Sequence, residues 1–211
     1  MIKGSEIRKA DYPIEKLLLD RWSPRAMSGE EISREELMGL FEAARWAPSS
    51  MNEQPWRFVV ARSEADRARF VSFLVDVNQL WAKAAPVLIV VTAKRTFARN
   101  GAPNPVHAFD AGCAWGHLAV GAAQHGLITH GMAGFDNDRA REVLGVPDDF
   151  AILAVIALGY HGNKSDLPPS FQEREVPSDR RPVAESVMEG AFRLPKEAAA
   201  EAETKNVTES P

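Results

Sequence analysis

The chain has 211 residues, 45% of them hydrophobic and 26% charged, which is the composition of an ordinary globular protein and predicts one compact domain. Its formal net charge of -4 argues against a nucleic-acid partner, because such binding depends on clustered Lys and Arg. The single cysteine, Cys113, excludes an internal disulfide framework and indicates a cytoplasmic protein. We expect no membrane association, because the longest apolar run, residues 150–159, is too short to cross a bilayer.

Hydrophobic periodicity predicts four strands among helices, and therefore an α/β-type sandwich. Ser33 and Glu36 have the spacing of a capping box, so a helix should begin there and end near Ala47. Ser63 should cap a long amphipathic helix that continues to about Ala84. The remaining predictions are strands at residues 56–61, 86–92, 127 onward and 150–158, and helices at residues 107–125 and 136–145.

The stretch from residue 20 to residue 25 has the residue types of a phosphate site. Pro24 disfavours helix before it, so the stretch should be extended. Arg21, Ser23 and Arg25 then alternate onto one side, where two guanidinium groups and a hydroxyl match a phosphate. The same pattern also fits a solvated loop whose arginines pair with nearby acidic residues.

Residues 45–58 contain the end of a helix, a polar turn and the start of a strand. Trp46 and Trp56 flank the turn, and its polar side chains are uncharged groups that both donate and accept hydrogen bonds. These groups suit a flat, polar-edged aromatic ligand, although an ordinary turn would have the same composition. The polar residues are Ser49, Ser50, Asn52 and Gln54.

The helix predicted at residues 107–125 contains several glycines, which indicate the close approach of another backbone. That backbone belongs either to the same subunit or to a second copy in a homodimer. Cys113 lies within this apolar helix and is expected to be a buried, inert thiol. The preceding loop, residues 94–106, is either a lid or a simple connector.

Two further stretches carry groups suited to ligand binding. Gly131 and Gly134 lie at a strand end, where exposed N–H groups can point at an electron-rich atom. Residues 164–179 are irregular and predict an arm that reaches across a partner. The arm ends near Arg180 and Arg181, which are either a second cationic part of the phosphate site or solvated surface charges.

Common catalytic patterns are absent from the sequence. It contains no Gly-x-Gly-x-x-Gly after a strand, no P-loop, no His-Glu-x-x-His and no Gly-x-Ser-x-Gly. The five histidines lack metal-ligand spacing, so we expect no metal site. Chemistry supplied by an organic cofactor fits this pattern better.

Taken together, the motifs resemble the nitroreductase family of FMN-dependent oxidoreductases. The resemblance runs in order over about residues 12–190, and the stretch Pro48-Ser-Ser-Met-Asn-Glu-Gln-Pro-Trp56 is its most specific part. It implies an α+β fold, a nitroreductase-like three-layer sandwich with a central mixed sheet flanked by helices, in an intertwined homodimer. Residues 1–192 would form the single FMN-binding domain, and residues 193–211 a flexible tail.

The resemblance also implies which residues bind the cofactor and what they do. The N-terminal motif, with Arg180 or Arg181, would hold the ribityl phosphate and the flavin edge. The polar turn would come from the opposite subunit, and the backbone at residues 133–134 would lie beside the reactive flavin nitrogen. No catalytic side chain is needed, because the flavin carries the chemistry. The implied FMN-binding residues are Arg21, Trp22, Ser23, Arg25, Pro48, Ser49, Ser50, Asn52, Gln54, Ala133, Gly134, Arg180 and Arg181.

The activity implied is hydride transfer from NADH or NADPH to FMN, followed by reduction of an electron-poor small-molecule acceptor, such as a nitroaromatic or a quinone. Two substrates that use one pocket in turn imply ping-pong kinetics. Specialised relatives that dehalogenate aromatics or fragment reduced flavin are an alternative, and these need an extra lid. A protein that binds flavin without turnover is another.

Overall fold

The computed structural model describes residues 2–192, so the tail predicted at residues 193–211 lies outside the described part of the chain. The described part of the chain begins with an N-terminal segment and ends with a C-terminal segment, which crosses the N-terminal one. The helices are α1 (Lys16–Asp20), α2 (Arg34–Arg45), α3 (Glu64–Val71), α4 (Asp76–Ala82), α5 (His107–Gln124), α6 (Asn137–Leu144) and α7 (Pro169–Gln172), and the strands are β1 (Trp56–Ala61), β2 (Val87–Lys94), β3 (Leu127–Met132) and β4 (Phe150–Tyr160).

The four strands form one sheet in the order β1-β2-β4-β3, and each neighbouring pair is antiparallel. The four predicted strands are therefore confirmed, but the prediction of a mixed sheet is wrong for the described residues. The reason is the path of the connections. The helices after β1 return the chain to the end of the sheet at which β1 stops, so that Ala61 pairs with Leu88 at the start of β2.

Helices cover both faces of the sheet, which confirms the three layers. The central strand β2 is apolar at successive positions because both of its faces are buried. Val87, Ile89 and Val91 pack with α2 and α5 on one face. Leu88 and Val90 pack with α3, α4 and α6 on the other.

The long helix predicted from Ser63 to Ala84 is wrong, because the structure divides it into α3 and α4. Between them, Leu74 forms an antiparallel bridge with Phe135, and the Val75 N–H donates to the Gly134 carbonyl at 3.1 Å. The Asp136 N–H in turn donates to the Phe73 carbonyl at 2.7 Å. These bonds require an extended backbone, so the helix stops where the chain meets the turn after β3.

The C-terminal segment, residues 163–183, packs against its own chain. Leu167 and Phe171 are buried in the core beside α4, and Glu175 is only 3% exposed. Further on, the Val183 N–H donates to Asp11 at 2.8 Å, which joins the segment to the N-terminal residues. The two ends of the domain therefore lie together on one side of the molecule.

Candidate functional site

The segment of residues 21–26 alternates in burial as its extended conformation requires. Trp22, one of the residues implied by the resemblance, is buried, as are Pro24 and Ala26, whereas the three polar residues at positions 21, 23 and 25 are half-buried. The Arg21 guanidinium lies 3.4 Å from the Ser23 hydroxyl oxygen, so these two side chains share one side of the segment. A cleft of about 270 Å³ opens beside them and is lined by Arg21, Trp22, Ala119, Ala123 and Thr129 among others.

Three arginines converge at this end of the molecule. Burial and the charges of Arg180 and Arg8 lower the pKa of the Arg21 guanidinium. Burial and Arg180 likewise lower the pKa of Arg8, and Asp179 offsets only part of this effect. No salt bridge within residues 2–192 involves Arg8, Arg21 or Arg180. A cluster of cations without a paired carboxylate fits a phosphate, which would relieve the repulsion.

Of the two remaining predicted arginines, Arg25 lies away from this cluster. The Arg25 guanidinium lies over aromatic rings, 5.9 Å from the centroid of Trp81 and 5.5 Å from that of Phe171. Burial and the neighbouring Arg174 lower its pKa. Arg181 lines a shallow cavity beside Arg180, but its charge is not among those acting on Arg8 or Arg21.

Two residues that the sequence reasoning missed hold the segment in place. His130 Nδ1 lies 2.8 Å from the Ser23 carbonyl oxygen. A carbonyl only accepts hydrogen bonds, so Nδ1 carries the proton, and burial together with the charge of Arg25 lowers the pKa of the ring. On the other side, Glu175 accepts hydrogen bonds from the N–H groups of Arg25 and Ala26, both at 2.8 Å. Neither residue belongs to a sequence motif that would have identified it.

The turn after β3 contacts α4 one helical turn before Trp81. Asn78, also missed from the sequence, donates to the Gly134 carbonyl at 3.0 Å, and Trp81 on the same helix packs on His130. A Cβ at Gly134 would lie 2.8 Å from the Asn78 amide nitrogen, so glycine is needed for this approach. Within the described chain the Gly134 N–H donates no hydrogen bond, and Ala133 precedes it in the same turn.

The polar turn at residues 48–54 has an uncommon backbone. Met51, Asn52 and Gln54 have φ of 53°, 56° and 50°, a region that residues other than glycine seldom adopt. The Ser49 hydroxyl accepts from the Gln54 N–H at 3.0 Å, and the buried Asp110 accepts from the Ser50 N–H at 3.1 Å. A shallow pocket beside the turn is lined by Pro48, Ser49, Ser50, Phe109 and Asp110 among others. The turn is thus held rigidly in a strained conformation at the surface.

One chain does not bring this turn and the arginine cluster together. The turn contacts Asp110 at the start of α5, whereas the cleft beside Arg21 is lined by Ala123 near its end. At a rise of 1.5 Å per residue these points on α5 are about 20 Å apart. The predicted site residues therefore form two groups, one at each end of the helix.

The surface of α5 between these two groups is apolar and uncovered. Phe109 is 73% exposed, and Gly112 and Gly116 have open space where a Cβ would stand. Cys113, predicted to be a buried, inert thiol, is half-buried on the same helix. The bulky side chains at the adjacent turn, Trp46 and Met51, are also largely exposed.

Two general features of the described residues concern membranes and metal ions. None of the helices in residues 2–192 has both the length and the apolar character needed to span a membrane. No three His, Cys, Asp or Glu side chains in the same part of the chain are grouped as they would be around a metal ion.

Comparison with known proteins assigns the family. The sequence model described as the nitroreductase family matches residues 18–75 and 72–160. The chain belongs to the nitroreductase family of oxidoreductases. The match includes the 21–25 segment, the polar turn and the turn after β3, but not the N-terminal residues that carry Arg8 or the segment that carries Arg180.

Individual relatives agree with this assignment. A solved structure described as an oxidoreductase containing FMN is 43% identical with a TM-score of 0.86, covering 92% of this chain and 100% of that one. The NADH dehydrogenase of Thermus thermophilus is 30% identical over 203 residues, covering 81% of this chain and 92% of that protein. Iodotyrosine deiodinase 1 of Mus musculus is 27% identical over 192 residues, covering 77% of this chain and 67% of that protein.

Proposed function

We propose that this nitroreductase-family protein is an FMN-dependent enzyme that oxidises NADH or NADPH and reduces an electron-poor acceptor such as a nitroaromatic or a quinone. The observation that carries the proposal is the convergence of Arg21 and Arg180 without a salt-bridge partner among the described residues. A cluster of partly exposed cations of this kind favours a bound dianion. The FMN-containing relative at 43% identity supports the same cofactor here.

Each group of the site has a separate role in this proposal. Arg21, Ser23 and Arg180 would bind the phosphate, and the charge of Arg180, which lowers the pKa of Arg21, favours Arg180 over Arg181 for this role. Arg25 and Trp81 form a wall on the other side of the extended segment. The free N–H of Gly134 donates to the reacting end of the cofactor.

The polar turn at residues 48–54 completes the site from a second copy of the chain. Within one chain, Asp110, which holds the turn, and Ala123, which lines the cleft beside Arg21, are about 20 Å apart along α5, so one chain does not place the turn beside the arginine cluster. The exposed apolar surface of α5, around Phe109 and Gly116, supplies a contact for the homodimer. Two equivalent sites at the subunit interface follow from the twofold symmetry of such a dimer.

Bound FMN would supply the redox chemistry, which is the acceptance of hydride from a nicotinamide and its delivery to the acceptor. The chain itself supplies orientation and hydrogen-bond donors, and no side-chain acid or base is required. The reductant and the acceptor occupy the same pocket in turn, which predicts ping-pong kinetics.

The visible absorption spectrum of the purified protein tests the proposal, before and after anaerobic addition of NADPH or NADH. We expect a flavin spectrum that bleaches with at least one of the two and returns when a quinone or nitroarene is added. A protein that binds flavin but does not bleach would be a flavin-binding protein without turnover. A colourless protein that does not take up added FMN would contradict the proposed cofactor.

Reductive dehalogenation is a second candidate, favoured by the similarity to iodotyrosine deiodinase 1. The loop at residues 94–106, for which the sequence allows either a lid or a connector, contains a short hairpin. In this hairpin the Phe97 N–H donates to the Ala102 carbonyl at 2.8 Å. The Ala98 N–H donates to Glu53 at 2.6 Å, so the hairpin is tied to the polar turn. Iodide release from iodotyrosine by the reduced protein, compared with reduction of a nitroarene, separates the two candidates.

A further inference from the structure

Arg8 lies ahead of the part of the chain that the family model matches, which starts at residue 18. Its Nη1 donates to the carbonyl of Leu19 at 2.8 Å and to that of Arg21 at 2.9 Å. Its Nε donates to the carbonyl of Ser178 at 2.7 Å. One guanidinium therefore joins the segment that carries Arg21 to the segment that carries Arg180.

The residues around Arg8 are arranged to hold it in this position. Gly4 packs so closely on the end of α1 that a Cβ would stand 1.8 Å from the Leu19 carbonyl oxygen. The Ser5 N–H donates to the Asp20 carboxylate at 3.0 Å, and this bond lies at the same end of α1. On the opposite side, Asp11 accepts from the Val183 N–H. We call residues 3–12 the N-terminal clip, because they contact both arginine-bearing segments.

We propose that Arg8 is a positioning residue for the phosphate end of the cofactor site, which acts by fixing the spacing of Arg21 and Arg180. Two guanidinium groups at close range repel each other, so the segments that carry them need a rigid connection. The planar fork of arginine can donate to three carbonyls in fixed directions, and the single ammonium of lysine cannot reproduce this. The inference rests on the proposed function, since it assumes that the cluster binds the phosphate of FMN.

Riboflavin provides the test, because it has the same ring as FMN and lacks the phosphate. Dissociation constants for FMN and riboflavin are measured by flavin fluorescence on the full-length wild type, Arg8→Gln, Arg8→Lys and the control Lys9→Gln. Lys9 is an exposed neighbour, so its replacement removes the same charge without these bonds. We expect Arg8→Gln and Arg8→Lys to weaken FMN binding about 10- to 100-fold. Riboflavin binding should stay close to wild type, and thermal unfolding shows that each variant is folded at the temperature of the titration.

The outcomes separate positioning from charge. Wild-type FMN affinity in Arg8→Lys, or an equal loss in Lys9→Gln and Arg8→Gln, would mean that only charge matters and would overturn the inference. Equal weakening of FMN and riboflavin would also overturn it, because the effect would not be at the phosphate. Arg8→Lys carries the same test if Arg8→Gln does not fold. A wild type that binds neither flavin would contradict the proposed function itself.

Discussion

His130 connects the sheet to the extended segment of residues 21–26 through a single ring nitrogen. Its protonated Nδ1 donates to the Ser23 carbonyl, and its ring packs on Trp81 with centroids 4.6 Å apart. Burial and the nearby Arg25 keep the pKa of this histidine below its usual value. The neutral ring is therefore the form that belongs to the folded protein.

The lowered pKa of His130 predicts a loss of stability in acid. The unfolded chain, with a histidine pKa of about 6.5, binds the proton more tightly, so the free energy of unfolding decreases as the pH falls through and below that value. His130→Gln keeps a donor without the titration, and its unfolding free energy should change less between about pH 7.5 and about pH 5. Denaturant unfolding at the two pH values measures this. His161, whose pKa burial also lowers, retains part of the dependence in the variant.

Arg21 tests the phosphate site by direct removal of a ligand. Arg21→Ala should weaken FMN binding by about 10- to 100-fold, since it removes a charge-assisted contact, while turnover at saturating FMN changes little. The flavin content of purified protein and activity with added FMN are the measurements. Arg139→Ala, on the surface of α6, is the matched control. Unchanged flavin content in Arg21→Ala would remove this residue from the site.

At the scale of single elements, the polar turn at residues 48–54 is the most constrained piece of surface structure. Its three positive φ angles cost conformational energy, and the buried carboxylate of Asp110 helps to hold it. A turn fixed in this way is suited to present side chains to a ligand, since little order is lost on binding.

Removal of this carboxylate should loosen the turn. Asp110→Ala leaves the Ser50 N–H without its partner, which costs about 1–3 kcal/mol, and FMN binding should weaken because the turn is no longer pre-organised. Asp110→Asn keeps an acceptor oxygen and should bind FMN nearly as the wild type does. Limited proteolysis of the turn and FMN titration measure the two effects. Full FMN affinity in Asp110→Ala would show that the turn makes no contribution.

Local signals in the sequence predicted most of the elements. The capping box at Ser33 and Glu36, the start of β1 after Pro55 and the left-handed Gly145 after α6 are all present in the structure. The break between α3 and α4 was not predictable in this way. It arises from the bridge between Leu74 and Phe135. These residues are distant in sequence, and the hydrophobic periodicity of the helix does not show that they pair.

At the scale of the whole molecule, the proposed dimer makes the strongest prediction. Gly116→Glu places a charge on the exposed face of α5, where one chain has open space for it. The monomer should therefore fold normally, while the dimer and FMN binding are lost together. Sedimentation velocity and flavin titration measure the two properties.

The control for the dimer prediction lies on the opposite face of the sheet. Ala68→Glu makes the same kind of change at an exposed position of α3 and should leave the dimer intact. FMN bound at full affinity by a monomeric Gly116→Glu variant would contradict a site shared between subunits.

The proposed cofactor site was predictable as a set of residue types but not as an arrangement. Extended backbone around Pro24 was enough to place Arg21 and Ser23 on one side. The sequence did not separate Arg180 from Arg181, because that difference depends on how the C-terminal segment crosses the N-terminal one. Arg8, Asn78 and Glu175 contribute through contacts with distant backbone atoms, and no spacing in the sequence encodes such contacts.

The N-terminal clip also affects the order of folding. Arg8 and Ser178 are 170 residues apart in the chain, and Asp11 and Val183 are 172 residues apart. Closure of such long loops is slow, whereas β1 and β2 pair residues that are much nearer in the chain, such as Ala61 and Leu88. During synthesis, the clip cannot form until residue 183 has left the ribosome. The sheet can therefore fold before the N-terminal clip closes, and the arginine cluster becomes one of the last parts of the molecule to be completed.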